Sequence, residues 1–184
     1  MDSPFDKFLG ILESWSTKGE RRLASGAWLI CPTPHVAPEA WLHVVFPPLS
    51  DNDIRDLEKQ CGSVLPTDFR EFLLRANGVS IFSSRIKVWG LRRSYARTGD
   101  EAWQPFDLPS HNEKYERPLG SPDTVLYFGS DDNGAARCFF EPKGDSCRVG
   151  KTSRERFHPI QYWSDFWDWL LNETQRLASH YRDS

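Results

Sequence analysis

The chain has 184 residues, of which 39% are hydrophobic and 27% are charged, and its formal net charge at pH 7 is −3. A chain of this length can bury the core of one domain without disulfides or metals. The small negative charge argues against non-specific binding of nucleic acid, which needs a basic surface.

The sequence contains no stretch that predicts membrane insertion or export. No run approaches the roughly 18 apolar residues of a membrane span. Near the start, Asp2, Asp6 and Lys7 interrupt the apolar residues that a signal peptide would need. We therefore expect a cytoplasmic protein that binds neither membrane nor nucleic acid.

The four cysteines are predicted to be reduced thiols without a metal or redox role. They show no C-x-x-C spacing and no partner histidines, which argues against a zinc or thioredoxin-type site. Free cysteines of this kind pack as small apolar residues in a cytosolic protein. We therefore expect no cofactor. The four are Cys31, Cys61, Cys138 and Cys147.

Residues 1–46 are predicted to form an N-terminal helix followed by two strands. Ser3 is suited to cap the helix, because Asp6 follows three residues later, and Gly19 is the predicted stop. The prolines between the two strands predict an extended connector. The strands are residues 27–30 and 41–46.

Residues 47–91 contain two helices with clear boundaries. In the first helix, Ser50 is the predicted N-cap and Gly62 the predicted stop. In the second, Pro66 suits the first helical position, and Asn77-Gly78 suits the C-terminus because glycine adopts the left-handed conformation without strain. Apolar residues three and four apart predict its buried face. That face is Phe69, Phe72, Leu73 and Ala76.

This arrangement resembles the SUKH superfamily, which is named partly for the fungal Smi/Knr-type cell-wall regulators. In that family two such helices precede a strand that ends in Gly-Leu, and residues 86–91 end in this way. The resemblance implies an α+β fold, in which helices flank a mainly antiparallel sheet, and a single domain over residues 1–184. The matching residues are Leu49-Ser50, Ile54, Leu57-Glu58, Gly62, Leu65-Pro66, Asp68-Phe69-Arg70, Phe72-Leu73, Asn77-Gly78 and Gly90-Leu91.

Residues 92–122 form a long segment without sustained periodicity, rich in charges and prolines. Segments of this kind are usually functional loops or disordered ones. Trp103 and Phe106 interrupt the polar background. Either they attach the loop to the core, or they are aromatic anchors for a partner.

Residues 123–184 are predicted to contain strands, an acidic turn and a C-terminal helix. The turn combines Asp131 and Asp132 with the pair Asn133-Gly134, and this pair between apolar runs predicts a hairpin. A calcium loop would need a carboxylate at its twelfth position, where Pro142 stands, so the pattern argues against calcium. The apolar runs are residues 125–129 and 138–140.

The C-terminal helix is predicted to begin near Trp163 and to bury one face. Trp169 lies about 120° from the centre of that face on a helical wheel. Either a second layer covers Trp169, or its ring is exposed and available for a contact. The predicted face is Trp163, Phe166, Trp167, Leu170, Thr174, Leu177 and Tyr181.

No motif in the sequence predicts catalysis. Gly150-Lys151-Thr152 resembles the end of a phosphate-binding loop, but the upstream Gly144 leaves five intervening residues where that motif has four. Neither a nucleophile elbow nor a zinc-binding helix is present. A hydrolase or transferase site assembled from dispersed residues such as His43, His158 and Asp132 is one alternative.

The leading hypothesis is a protein-binding module without catalysis. For bacterial members, the resemblance implies an immunity protein that binds and blocks a cognate toxin, often a nuclease. For fungal members, it implies a regulator or scaffold linked to cell-wall assembly or secretion, which is the other alternative. The small acidic excess would suit a cationic protein partner. The candidate contact residues are Trp103, Phe106, Asp131, Asp132 and Trp169.

Overall fold

The computed structural model describes residues 2–182. Within these residues, nine strands form one antiparallel sheet. The strands lie side by side in chain order, so each pairs with the next along the sequence. With helices packed on it, the sheet confirms the predicted α+β class. The strands are β1 Glu20–Arg22, β2 Trp28–Pro32, β3 Trp41–Val45, β4 Val79–Ile81, β5 Ile86–Val88, β6 Leu126–Asp131, β7 Ala136–Lys143, β8 Ser146–Ser153 and β9 Pro159–Trp163.

Five α-helices accompany the sheet within these residues. Both α1 and α3 contact the long C-terminal helix α5, whereas α2 contacts the short helix α4. Three 3-10 turns lie at Ser16–Lys18, Asp100–Ala102 and Asp132–Gly134. The helices are α1 Pro4–Glu13, α2 Asp51–Cys61, α3 Thr67–Leu73, α4 Leu108–His111 and α5 Phe166–Arg182.

Two helices begin at the serine N-caps that the sequence predicts, and each serine forms a capping box. In α1, the Ser3 hydroxyl accepts a hydrogen bond from the Asp6 backbone N–H, and the Asp6 carboxylate accepts one from the Ser3 N–H. Ser50 and Asp53 form the same pair at the start of α2, which ends at Gly62 in the left-handed conformation. Gly19 does not end α1 as predicted. The helix stops at Glu13, and Gly19 instead ends the 3-10 turn that follows.

Aromatic rings fill the space between α3, α5 and the sheet. Phe69 and Phe72 on α3 are completely buried, as are Leu73 and Ala76, which confirms the predicted apolar face. The ring of Phe69 lies 5.7 Å from that of Phe128 on β6 and 5.2 Å from that of Phe166 on α5, measured between centroids. These rings join α3, β6 and α5 into one hydrophobic core.

Asp68 connects the same two helices through a hydrogen bond. Its carboxylate Oδ2 accepts from the Phe166 backbone N–H at 2.7 Å. This N–H lies in the first turn of α5, where no carbonyl within the helix can accept from it. Burial raises the pKa of Asp68, and the hydrogen bonds from Phe166 and Phe69 oppose that effect. Asp68 therefore caps α5 from a neighbouring helix.

The predicted boundary of α3 at Asn77-Gly78 is wrong, because the helix ends at Leu73. Gly78 does have a positive φ of 88°, but it leads into β4 and does not cap the helix. A Cβ on Gly78 would overlap the Val88 carbonyl oxygen. Glycine is needed here because the backbone of β5 passes very close to it.

Trp169 lies in the core, which resolves the alternative left open by the sequence. It is completely buried, and its ring lies 4.9 Å from that of Phe128. Trp163 is the last residue of β9 and not part of α5. The buried face of α5 is wider than predicted, since it also includes Glu173, four residues after Trp169. Measured from Phe166, Trp169 is at the i+3 position and belongs to the buried stripe.

Within residues 2–182, no α-helix combines the length and the apolar character required to cross a bilayer. In the same part of the chain, no three His, Cys, Asp or Glu side chains are grouped as metal ligands would be. All four cysteines are free. Gly150-Lys151-Thr152, which resembles a phosphate-binding loop, lies inside strand β8.

Trp169→Ala should destabilise the protein by about 3–5 kcal/mol, because removal of a fully buried tryptophan leaves a cavity among packed rings. Gln175→Ala on the exposed side of the same helix should change stability by less than about 0.5 kcal/mol. Urea unfolding followed by circular dichroism measures both. Equal, small losses for the two variants would mean that the ring is not part of the core.

Gly78→Ala should cost about 3 kcal/mol or more, because the overlap with the Val88 carbonyl adds to the cost of a left-handed alanine. Gly62→Ala is the matched control, since Gly62 also has a positive φ but no atom lies within 4 Å of the position that a Cβ would take. That variant should lose only about 1 kcal/mol. Similar losses for both in urea unfolding would contradict the close approach of β5.

Candidate functional site

The sheet has a second face, which connecting segments cover instead of long helices. Leu29 on β2 lies opposite Val44 on β3, and both pack in a small apolar cluster with Phe46. Trp41 and Trp103 lie against this cluster. Because side chains alternate along a strand, these residues point away from α1, α3 and α5. We call this side of the sheet the loop face.

A cleft of about 270 Å³ opens on the loop face. Its walls are mainly aromatic and aliphatic, and serine side chains lie along one side. It contains two of the residues that the sequence suggested as partner contacts. We call it the loop-face cleft. Its lining includes Trp41, Val44, Ser80, Ser84, Trp103 and Phe106.

Trp103 and Phe106 both line the cleft, but they differ in burial. Trp103 is half-buried against the apolar cluster of the loop face, so it attaches the 92–122 segment to the sheet. Phe106 is 44% exposed. An exposed phenylalanine beside an apolar cleft offers more accessible apolar surface than the half-buried Trp103 does. The attachment to the core is therefore seen for Trp103, whereas a partner contact at Phe106 stays a prediction.

The side chain of Asn77 holds the start of the 92–122 segment. Its Nδ2 donates to the Leu91 carbonyl at 2.8 Å, and its Oδ1 accepts from the Leu91 N–H at 2.7 Å. Asn77 is buried, with 4% of its surface exposed. A Cβ on Gly90 would overlap Asn77 Oδ1, so only glycine fits beside this amide. The Asn77 amide thus takes the place of a neighbouring strand, because it pairs with both the N–H and the carbonyl of Leu91. We call this pair of hydrogen bonds the Asn77 latch.

The backbone next to the Asn77 latch carries the cleft residue Phe106. The Gly90 N–H donates to the Phe106 carbonyl at 2.9 Å, and the Leu108 N–H donates to the Gly90 carbonyl at 2.8 Å. Residues 106–108 are thereby aligned in parallel with the end of β5, as a bridge between Gly90 and Asp107. The Asn77 latch therefore fixes where Phe106 meets the sheet.

The serine side of the cleft is a turn with unusual backbone angles. Phe82, Ser83 and Ser84 have φ angles of +52°, +53° and +70°, in the left-handed region that costs about 1–2 kcal/mol for each non-glycine residue. Ser83 and Ser84 line the cleft, and the Ser84 hydroxyl lies 2.9 Å from that of Ser80. Strained backbone of this kind persists where the surroundings hold it in place.

Phe82 holds the turn from the opposite face of the sheet. Its ring is completely buried, 4.7 Å from the His43 ring and 5.6 Å from the Trp15 ring. The Phe82 N–H donates to His43 Nδ1 at 3.3 Å, and the Tyr181 hydroxyl donates to the Phe82 carbonyl at 3.3 Å. Burial lowers the pKa of His43 to about 3, so His43 is neutral and can accept this bond. Core packing thus positions the serines of the cleft.

The two aspartates of the predicted hairpin lie in different environments. The hairpin itself is confirmed, since β6 and β7 pair across this turn. Asp131 is only 1% exposed and forms an ion pair with Lys151 at 2.8 Å, so it offers no surface to a partner. Asp132 is exposed on the turn. The Asn133 N–H donates to the Arg85 carbonyl at 3.4 Å, which places this turn beside the residue that follows Ser84.

The structure therefore brings together part of the predicted contact set. Trp103 and Phe106 meet in the cleft, and Asp132 lies on a neighbouring turn. Asp131 and Trp169, which the sequence also suggested as contact residues, are buried and offer no surface to a partner. The prediction missed Trp41 and the Ser83-Ser84 turn. Alternation in the short strands Val79–Ile81 and Ile86–Val88 was the available signal for a polar loop face.

The dispersed residues considered for catalysis do not form a common site. The His43 ring is completely buried between Trp15 and Phe82, whereas His158 and Asp132 are exposed. Nor do the cysteines provide a reactive thiolate: burial raises the pKa of Cys61 to about 12 and that of Cys138 well above its usual value. These groups show no activated acid, base or nucleophile.

Comparison with known families matches residues 48–172 to the SMI1 / KNR4 family (SUKH-1). The matched region includes α2, α3, the Asn77 latch and Phe106. Strand β3, which contributes Trp41 and Val44 to the cleft, precedes it. No curated protein matches the chain.

Asn77→Ala should destabilise the protein by about 2 kcal/mol and loosen residues 90–108, because both Leu91 backbone groups lose their partner. Hydrogen exchange resolved by residue should show faster exchange at Leu91 and Leu108. The control is Asn52→Ala, an exposed asparagine on α2, which should leave both rates unchanged. Unchanged exchange at Leu91 in Asn77→Ala would contradict the role of the latch.

Proposed function

The chain belongs to the SMI1 / KNR4 family (SUKH-1), and we propose that it is a non-catalytic protein-binding module, specifically a bacterial immunity protein that binds and blocks a cognate toxin. The observation that carries the proposal is the loop-face cleft, with the exposed Phe106 at its wall. Family membership supplies the class of function, and the cleft supplies a surface on which it can act.

The cleft has the composition of a protein-binding hot spot. Trp41, Trp103 and Phe106 provide aromatic surface, and Ser80 and Ser84 provide hydroxyl groups at the edge. Aromatic residues in a pocket carry much of the binding energy of protein interfaces, and the surrounding polar residues exclude water. A partner side chain that enters this cleft would remove several aromatic faces from water at once.

The size of the cleft favours a side chain over a small-molecule ligand. Its volume of about 270 Å³ is below the roughly 300–1,000 Å³ of sites that enclose drug-sized ligands. The rest of a partner would then rest on the surrounding loop face. This mode of binding blocks a toxin by covering its site and requires no reaction.

The cleft is also held rigidly, which favours tight binding. The Asn77 latch fixes the backbone at Phe106, and the buried Phe82 fixes the Ser83-Ser84 turn. A surface that is already ordered loses little conformational entropy when a partner binds. Preorganisation of this kind suits a protein that must neutralise a toxin at low concentration.

Phe106→Asp should weaken binding of the captured partner at least tenfold, which corresponds to about 1.4 kcal/mol, because a charge replaces an apolar anchor. The partner is obtained by affinity capture from lysate of the host with the full chain as bait, and is then purified. Titration calorimetry measures the affinity of each variant. We expect a stoichiometric toxin whose activity the wild-type chain inhibits.

Tyr115→Asp is the matched control, since Tyr115 is 94% exposed and does not line the cleft. It should bind as wild type does. Capture of cell-wall assembly or secretion proteins alone would replace the immunity proposal with the regulatory role. A toxin that binds Phe106→Asp and wild type equally would place the interface elsewhere on the chain.

A further inference from the structure

A row of polar residues crosses the loop face beside the cleft. Ser80 on β4 lies opposite Lys87 on β5, Lys87 lies opposite Ser130 on β6, and Ser130 lies opposite Arg137 on β7. Residues paired in this way share one face of the sheet. Lys87 and Arg137 are therefore two strands apart, about 10 Å between their backbones. We call them the cation pair.

Neither member of the cation pair has a carboxylate partner. Within residues 2–182, no aspartate or glutamate forms an ion pair with Lys87 or Arg137. Arg137 is only 7% exposed, and its guanidinium lies 5.0 Å from the centroid of the Trp89 ring. Buried arginines are normally paired, because removal of an isolated charge from water is costly. Arg137 lacks such a partner, and its guanidinium nitrogens are left to water and to the Trp89 ring.

The charges around the pair make the region positive. Arg154 is close enough to lower the pKa of Arg137, although burial is the larger cause. Lys87 also has a lowered pKa, through burial first and Arg137 second. Glu116 opposes these effects at Arg137, but it is exposed and forms no ion pair with it. Like charges held together without a counterion create a strong preference for an anion.

The pair is continuous with the loop-face cleft through two residues. The Lys87 Nζ lies 4.7 Å from the centroid of the Phe106 ring, and Phe106 lines the cleft. Ser80 also lines the cleft and pairs with Lys87. A single partner segment can therefore place an apolar side chain in the cleft and an acidic one on the cation pair.

We propose that the cation pair Lys87 and Arg137 receives an aspartate or glutamate side chain of the protein that occupies the loop-face cleft. This inference rests on the proposed protein-binding function. It specifies in addition that the partner carries a negative charge at one position. The incoming carboxylate replaces the missing counterion and meets the Lys87 ammonium, which is only half-buried. Charge complementarity of this kind sets the register of an interface and excludes partners that are neutral at that position.

The test uses the full chain, labelled with ¹⁵N, and two peptides that differ only in charge. The acidic probe is acetyl-Leu-Gly-Glu-Glu-amide, and the neutral probe is acetyl-Leu-Gly-Gln-Gln-amide. Chemical shifts are followed during titration at constant ionic strength. We expect saturable changes at Lys87, Phe106 and Arg137 with the acidic peptide, and an affinity about fivefold lower for the neutral one.

Lys87→Met provides the variant, because it retains most of the aliphatic stem and removes the charge. It should weaken binding of the acidic peptide about fivefold and leave the neutral peptide unaffected. Lys59→Met on the exposed surface of α2 is the matched control and should bind both peptides as wild type does. Arg137 itself is not replaced in the main test, because its burial makes misfolding a competing explanation.

Three results would overturn the inference. Equal affinity for the two peptides would remove the need for a carboxylate, and shift changes confined to other surfaces would place the acidic site elsewhere. Inorganic phosphate that binds the same residues at least as tightly as the peptide would make this a small-anion site. Because none of these titrations uses the captured toxin, failure of the cation pair is separable from failure of the immunity proposal.

Discussion

The pair of hydrogen bonds between the Asn77 amide and the Leu91 backbone is the interaction on which the proposed binding surface depends. It joins the segment before β4 to the segment after β5, so it closes the end of that hairpin. Gly90 then has its own N–H and carbonyl free for Phe106 and Leu108. Both glycines nearby serve the same purpose, because Gly78 and Gly90 allow backbones to approach that a Cβ would separate. Asn77, Gly78 and Gly90, which belong to the family-like motif, thus attach the 92–122 segment to the sheet.

The two faces of the sheet have different physical roles. On the helix side, aromatic rings from α3, β6 and α5 pack without exposure, and Asp68 caps α5 across the core. On the loop side, Phe106 is exposed and Lys87 and Arg137 remain without carboxylates. Phe82 couples the faces, because its ring is in the core while the next two residues line the cleft. The packing on the helix side therefore stabilises the strained Ser83-Ser84 turn and the unpaired Lys87 and Arg137 on the loop side.

Local signals in the sequence predicted local structure well. The N-caps at Ser3 and Ser50, the left-handed Gly62 and the apolar face of α3 depend on residues within one or two turns. Contacts between distant residues were not predictable in this way. Asn77 looked like a helix cap, although its partner is fourteen positions away. Asp131 looked exposed in its turn, although Lys151 from β8 covers it. For the site, the aromatic pair of the 92–122 segment was identified, but not the strands beneath it.

In the proposed interface, local charge rather than net charge selects the partner side chain that docks on the loop face. The chain carries a net charge of −3, which by itself would favour a cationic partner. Charges are screened over about 8–10 Å in physiological salt, so the nearby Lys87, Arg137 and Arg154 dominate at contact. These cations lie in the part of the chain that matches the family, whereas Trp41 and Val44 belong to strand β3, which precedes it. Substitutions in β3 can therefore reshape the apolar wall of the proposed binding cleft without disturbing the latch or the cation pair, so shape and charge selectivity can change independently.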